Sequence, residues 1–163
     1  HAMVIHRSDS VRFKPVDLGD IARKAFRSTV PITVDPDVVV SFEDCSEPVF
    51  VLGDAVSLRE AIANIIDNAL QHGVAQRLAV RVRRDDDRAL VEVADDGPGI
   101  PPGEWAAVTT RFVSSKTGEG SMGLGFAIAA EVALAHRGTV RFLEKGAHDF
   151  TVILDVPLYR EGP

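Results

Sequence analysis

The chain is 163 residues long, 45% hydrophobic and 26% charged, with a formal net charge of −6. That is the size and make-up of one globular domain, and the acidic balance with no basic stripe argues against a nucleic-acid-binding surface. Cys45 is the single cysteine, which excludes an intrachain disulfide and a cysteine-built metal cluster and suits a reducing cytoplasm.

His1-Ala2-Met3 reads as the remnant of an expression tag, and no apolar run approaches the roughly 18–20 residues that span a bilayer. Residues 4–16 carry charge and one proline without a clear period. Asp17 is a candidate cap for a helix over Leu18, Ile21, Ala22, Ala25 and Phe26, ending between Ser28 and Pro31. Short β-branched runs follow at Ile32–Val34, Val38–Phe42 and Val49–Leu52, punctuated by Pro36-Asp37 and Glu47-Pro48. Gly53-Asp54 opens a long helical pattern to about His72, closed by Gly73. Leu78–Arg83 and Ala89–Val93 alternate as a hairpin around Asp85-Asp86-Asp87, and the neighbouring Arg81, Arg83 and Arg84 read as part of a solvated tip. After a Gly/Pro-rich stretch from Gly97 to Gly103 comes a short helix at Trp105–Val108, and Thr109–Met122 reads as a mobile loop. Gly123–His136 is helical and stops at Gly138; Thr139–Leu143 and Phe150–Val156 close the chain as a second hairpin. Helices laid over one mixed, mostly antiparallel sheet give an α/β two-layer sandwich with about three helices on one face.

The 54–72 helix has two distinct faces. At about 100° per residue, Leu58, Ile62, Ile65, Ile66 and Ala69 share one side, the expected core stripe. Glu60, Asn64, Asp67, Asn68 and Gln71 share the other, a row rich in carboxamides where a solvated face carries Lys and Glu. A carboxamide oxygen can ligate a hard cation, and its nitrogen can donate to a phosphate without charge repulsion. A polar surface face is the plainer reading of the same row.

Two glycine loops follow. Ala94-Asp95-Asp96-Gly97-Pro98-Gly99-Ile100-Pro101 comes directly off a strand, where a carboxylate such as Asp95 can accept from an exocyclic amine such as adenine N6; the same letters also make a good turn. Gly118-Glu119-Gly120-Ser121-Met122-Gly123-Leu124-Gly125 opens into a helix whose unpaired first amides form an anion site. It is not a Walker loop, because no Gly-Lys-Ser/Thr follows. His72, His136 and His148 share no ligand spacing, so no histidine metal site is expected. Trp105 and Phe112 are expected as core or lid anchors.

In order, Glu60-Ala-Ile-Ala-Asn64-Ile-Ile-Asp-Asn68-Ala, Asp95-Asp-Gly97-Pro-Gly99-Ile100, Arg111-Phe112 and Gly123-Leu124-Gly125-Phe-Ala-Ile resemble the N, G1, F and G2 boxes of sensor histidine kinases. The wider superfamily includes the gyrase, Hsp90 and MutL ATPases, and the likeness covers residues 15–158. The resemblance implies a Bergerat-type fold that binds ATP with Mg²⁺. It implies that Asn64 ligates the metal, that Asn68 contacts phosphate, and that Asp95 holds adenine in a pocket shaped by Gly97, Gly99 and Ile100. Gly123, Leu124 and Gly125 fall at the phosphate end, and Thr109–Met122 corresponds to the ATP lid. Glu60 stands where related ATPases keep a water-activating base, a role that a kinase attacking through histidine does not need. Gln71 and His72 replace a frequent Lys-Tyr pair, and Ser121 replaces the first glycine of the last box. Lys116 is either a cation for the γ-phosphate or a solvated loop lysine.

The implied function is the catalytic domain of a two-component kinase, cytoplasmic within a membrane-anchored bacterial protein. It would phosphorylate a histidine on an upstream dimerisation domain, from which a response regulator takes the phosphoryl group. Residues 4–14 read as the tail of that domain, 15–158 as the catalytic domain and 159–163 as a C-terminal tail. His6 lacks the acidic residue and proline that follow the family's phosphorylated histidine, so self-phosphorylation of this stretch is not expected. An anti-sigma-factor-type serine kinase and a degenerate nucleotide-binding interaction module are the alternatives.

Overall fold

The computed structural model describes residues 13–33, 36–73, 76–110 and 120–160, with the backbone alone at 31–33, 72–73 and 120–125. The chain opens with strand β1 (Lys14–Asp17) and helix α1 (Leu18–Thr33). Asp17 caps α1 as expected, its Oδ1 accepting the amide of Asp20 at 3.2 Å. The helix then runs on through Ile32 and Thr33, where the β-branched run predicts a strand. Three β-branched letters are too short a signal against a helix already propagating, since each added residue there gains a hydrogen bond without a new nucleus.

Strands β2 (Val39–Glu43) and β3 (Phe50–Gly53) lead to α2 (Ala55–Asn68), which continues as a π turn over Ala69–Gly73. The hairpin of β4 (Arg77–Asp85) and β5 (Arg88–Asp95) follows, then a 3₁₀ turn at Pro102–Glu104 and the short α3 (Trp105–Val108). Helix α4 (Gly120–Ala135) and the hairpin β6 (Thr139–Leu143) and β7 (Phe150–Pro157) complete the described chain. Five strands form one sheet in the order β2-β4-β5-β7-β6, parallel only between β2 and β4. The strand β1, which has no counterpart in the sequence reading, pairs antiparallel with β3 as a separate ribbon.

The helical layer packs on one face of the sheet, with α2 between α1 and α4. Leu58, Ile62, Ile65 and Ile66 of α2 are buried against Val80, Val82, Val91, Val93, Val152 and Leu154 of the sheet. Each such side chain contributes about 1.5–3 kcal/mol of apolar burial. The predicted apolar stripe of α2 is therefore the core contact.

Among the described residues the other face of the sheet carries no helix, yet Glu92 and Asp155 are buried on it. Arginine arms cover them: Arg83 Nη1 reaches Glu92 at 2.9 Å, and Arg88 and Arg141 hold Asp155 at 2.7 and 2.8 Å. Arg81 and Arg83 are therefore pairing residues of a sheet face rather than part of a solvated tip, while Arg84 donates to the carbonyl of Pro48. Alternation along β4 turns both arginines toward Glu92, a partner that only cross-strand register supplies.

Candidate nucleotide site

Asp54 sets the phase of α2. Its backbone is extended, and its Oδ2 accepts the Ser57 amide at 3.0 Å, which ties down a donor that the first turn leaves unpaired. With the apolar stripe turned inward, Glu60, Asn64 and Asp67 are half-buried, Asn68 is buried and Gln71 is exposed. Gln71 Nε2 donates to Asp67 Oδ2 at 2.8 Å, one turn back along the helix. Asn68 Nδ2 is buried with no hydrogen-bond partner among the described residues. An orphaned donor of that kind costs about 1–3 kcal/mol, so a native fold that keeps one has a reason outside packing. The helix widens into its π turn immediately after this residue, a device that frequently marks functional positions.

Asp95 ends β5, flanked in register by Leu78 of β4 and Phe150 of β7. It is 3% exposed, and its Oδ1 accepts the Gly97 amide at 2.8 Å. Burial raises the Asp95 carboxyl above its ordinary value of 3.8, against the opposing pull of the Gly97 amide. Gly97 is buried and Gly99 half-buried. Gly99 has φ +76°, and a Cβ there would lie 2.8 Å from the Phe150 ring, so glycine is required twice over. Ile100 is buried in the core, and its carbonyl accepts Trp105 Nε1 at 2.8 Å. Trp105 in turn stacks on Phe142 at 5.4 Å, which bears out its expected role as an anchor.

The π turn after Asn68 packs against β5, and three residues separate Gly73 from Arg77, whose neighbour Leu78 is the register partner of Asp95. Helix α4 begins at Gly120, three residues before the expected start, so Gly120–Met122 are helical rather than loop. Glycine and serine are well tolerated where a helix begins, which lets α4 extend back past the predicted boundary. Its unpaired amides are those of the first turn, which includes Gly123; Leu124 and Gly125 come next. Arg111, Phe112 and Lys116 lie outside the described residues.

Two grooves of about 480 and 500 Å³ lie elsewhere, on the open sheet face and between the ribbon and the end of α4. Neither is lined by Asn64, Asn68 or Asp95. Sequence reasoning passed over Arg77, Lys145 and Asp149, which gather beside Asp95 from strands and loops up to 72 residues apart.

The sheet order, the carboxamide helix and the buried aspartate before a glycine loop define a class. Residues 53–160 match the family of histidine kinase-, DNA gyrase B-, and HSP90-like ATPases, and the chain belongs to that family. Within it, this is a catalytic domain of the sensor histidine kinase type. The chain is 32% identical over 133 residues to the sensor protein kinase PmrB of Pseudomonas aeruginosa, covering 79% of this chain and 27% of that protein. It is 33% identical over 146 residues to the probable sensor histidine kinase TcrY of Mycobacterium tuberculosis, covering 85% and 30%. The solved ATP binding domain of PrrB from Mycobacterium tuberculosis superposes with a TM-score of 0.73 at 28% identity, covering 91% of this chain and 98% of that one. The chain thus spans less than a third of the length of these sensor kinases. Such relatives do not favour the serine-kinase or interaction-module alternatives.

Proposed function

We propose that this domain binds Mg-ATP between α2 and the loop after β5 and presents the γ-phosphate to a histidine on a separate upstream domain of the same kinase. In this reading Asp95 accepts adenine N6–H through the carboxylate oxygen that Gly97 leaves free, while Gly97, Gly99 and Ile100 shape the base pocket. Asn68 Nδ2 donates to a phosphate oxygen, and Asn64 is the ligand that would hold Mg²⁺, whose charge would screen the phosphates. The first-turn amides of α4, with Gly123, Leu124 and Gly125, take the remaining phosphate charge. Gln71 is an outer contact, and Lys116 the candidate cation at the γ-phosphate. Glu60 has no proton to take from water in a kinase.

The chemistry asks the protein mainly to position groups and balance charge. An imidazole nitrogen attacks phosphorus, the bond from the γ-phosphorus to the bridging oxygen breaks, and ADP leaves. The phosphoryl group then passes to a response regulator. We infer a cytoplasmic setting, where ATP is available; among the described residues no helix is long and apolar enough to cross a membrane. Residues 4–14 join the domain to its upstream partner.

The observation that carries this reading is the buried amide of Asn68, which has no partner among the described residues, in the same fold as a buried Asp95 that accepts the Gly97 amide through one oxygen. Calorimetry should show ATP binding that weakens when EDTA removes Mg²⁺. From γ-labelled ATP the chain alone should stay unlabelled, and label should appear on histidine when the upstream domain is added in trans. Absence of ATP binding, or label accumulating on this chain alone, overturns the proposal.

A further inference from the structure

The strand end that carries Asp95 is fastened from outside the four sequence boxes. Asp96 Oδ1 accepts the amides of Gln76 and Arg77 at 2.9 and 3.1 Å, which closes the start of β4 onto the end of β5. The guanidinium of Arg77 then forks onto Asp149 of the β6–β7 loop, with Nε at 3.2 Å and Nη2 at 3.0 Å from its two oxygens. Its Nη1 also lies 3.6 Å from Asp96 Oδ2. From the same loop, Lys145 Nζ donates to the Asp96 carbonyl at 3.2 Å. One residue on from Asp149, Phe150 is the surface against which Gly99 closes.

We propose that Arg77 is a positioning residue for the nucleobase: by clamping the β6–β7 loop to the end of β5, it fixes the Asp95 carboxylate and the Phe150 wall where the base must dock. This rests on the proposed reading of Asp95 as the base acceptor. A planar fork on Asp149 holds both the distance and the orientation of the loop, which a single point charge does not. The clamp also sets the charge around Asp95. Asp96 and Asp149 push its carboxyl up and Lys145 pulls it down, while α2 and the π turn add no charge to that set. The clamp therefore acts on the base end of the site and leaves the phosphate end, built by Asn68 and α4, untouched.

The test is calorimetry on this chain with ATP, ADP and inorganic tripolyphosphate, which has phosphates and no base. Arg77→Ala should weaken ATP and ADP about tenfold, the scale of a displaced charge-assisted hydrogen bond, and leave tripolyphosphate unchanged. Arg77→Lys should recover part of that loss. ATP affinity should fall on the acid side as Asp95 protonates. Lys145→Ala should move that fall to higher pH and Asp149→Asn to lower pH, opposite shifts that general loosening of the fold would not produce. Equal losses for ATP and tripolyphosphate in Arg77→Ala, or acid limbs that do not separate in the other two variants, overturn the inference. Asp95→Asn serves as the control: if it binds ATP as tightly as the parent chain, the reading of Asp95 itself fails, whatever Arg77 does.

Discussion

At the scale of single residues, burial holds the Asp95 carboxyl above 3.8, and the Gly97 amide opposes that shift only in part. A carboxyl whose folded value is raised favours folding below its unfolded value, and that contribution is lost as pH rises through the folded value. Above that folded value the ionised Asp95 is thus a net cost to the fold, one that the proposed role of its acceptor oxygen accounts for. Asp95→Asn, which keeps an oxygen for the Gly97 amide, should raise Tm by about 1–4 °C while abolishing the rise in Tm that ATP gives the parent chain. A melt with and without ATP reads both effects.

A second residue-scale tension lies at the end of α4, where Gly138 donates to Ala133 at 2.7 Å and Arg137 to Leu134 at 3.0 Å. This places Arg137, with φ 64°, in the left-handed slot that usually takes glycine, and glycine one position later. The shift has a steric cause, because a Cβ on Gly138 would sit 2.1 Å from the Asp155 carbonyl. Arg137→Gly should stabilise the fold by up to about 1 kcal/mol, and Gly138→Ala should destabilise it by more than that. Chemical denaturation at fixed pH measures both. The stop at Gly138 was legible in the sequence; which residue bears the positive φ was not, since the neighbouring strand decides it.

Among the elements, α4, α2 and the ribbon meet at His136. Its Nε2 accepts the Asp54 amide at 3.1 Å, and its Nδ1 lies 2.7 Å from the Val132 carbonyl, so the ring is neutral with its proton on Nδ1. Phe13 stacks on it at 4.5 Å. Burial lowers His136 below 6.5, more than the Val132 carbonyl and Asp54 raise it. A lowered folded value contributes stability above 6.5 that is lost as pH falls through it, so the domain should weaken progressively below about pH 6.5. His136→Gln should flatten that slope in urea titrations between about pH 5 and 7. The capped α1, the start of α2, the hairpins and the stop of α4 were readable from period and punctuation. The ribbon strand β1 was not, because four residues with one buried side chain carry no period of their own.

For the molecule as a whole, charge pairs among the described residues cover the sheet face opposite the helices. Burial pushes the Asp155 carboxyl up, but hydrogen bonds from Arg141 and Arg88 outweigh it and hold it below 3.8. That stability is present above 3.8 and is lost as pH falls through the lower folded value. In Asp155→Asn the acid limb of unfolding below about pH 4 should be shallower, a difference that circular dichroism across an acid titration reveals.

Period and motif order, read along the chain, were enough to determine the layered α/β architecture, the two faces of α2 and the turn that follows β5 at Asp95, because each is written in neighbouring residues. Only the tertiary structure decided that Asn68 keeps a buried amide without a partner among the described residues, that Asp95 is desolvated, and that Arg77 reaches Asp149 across 72 positions. Those facts depend on which distant strands lie side by side, and register between strands is set by packing of the whole sheet rather than by any local run of letters.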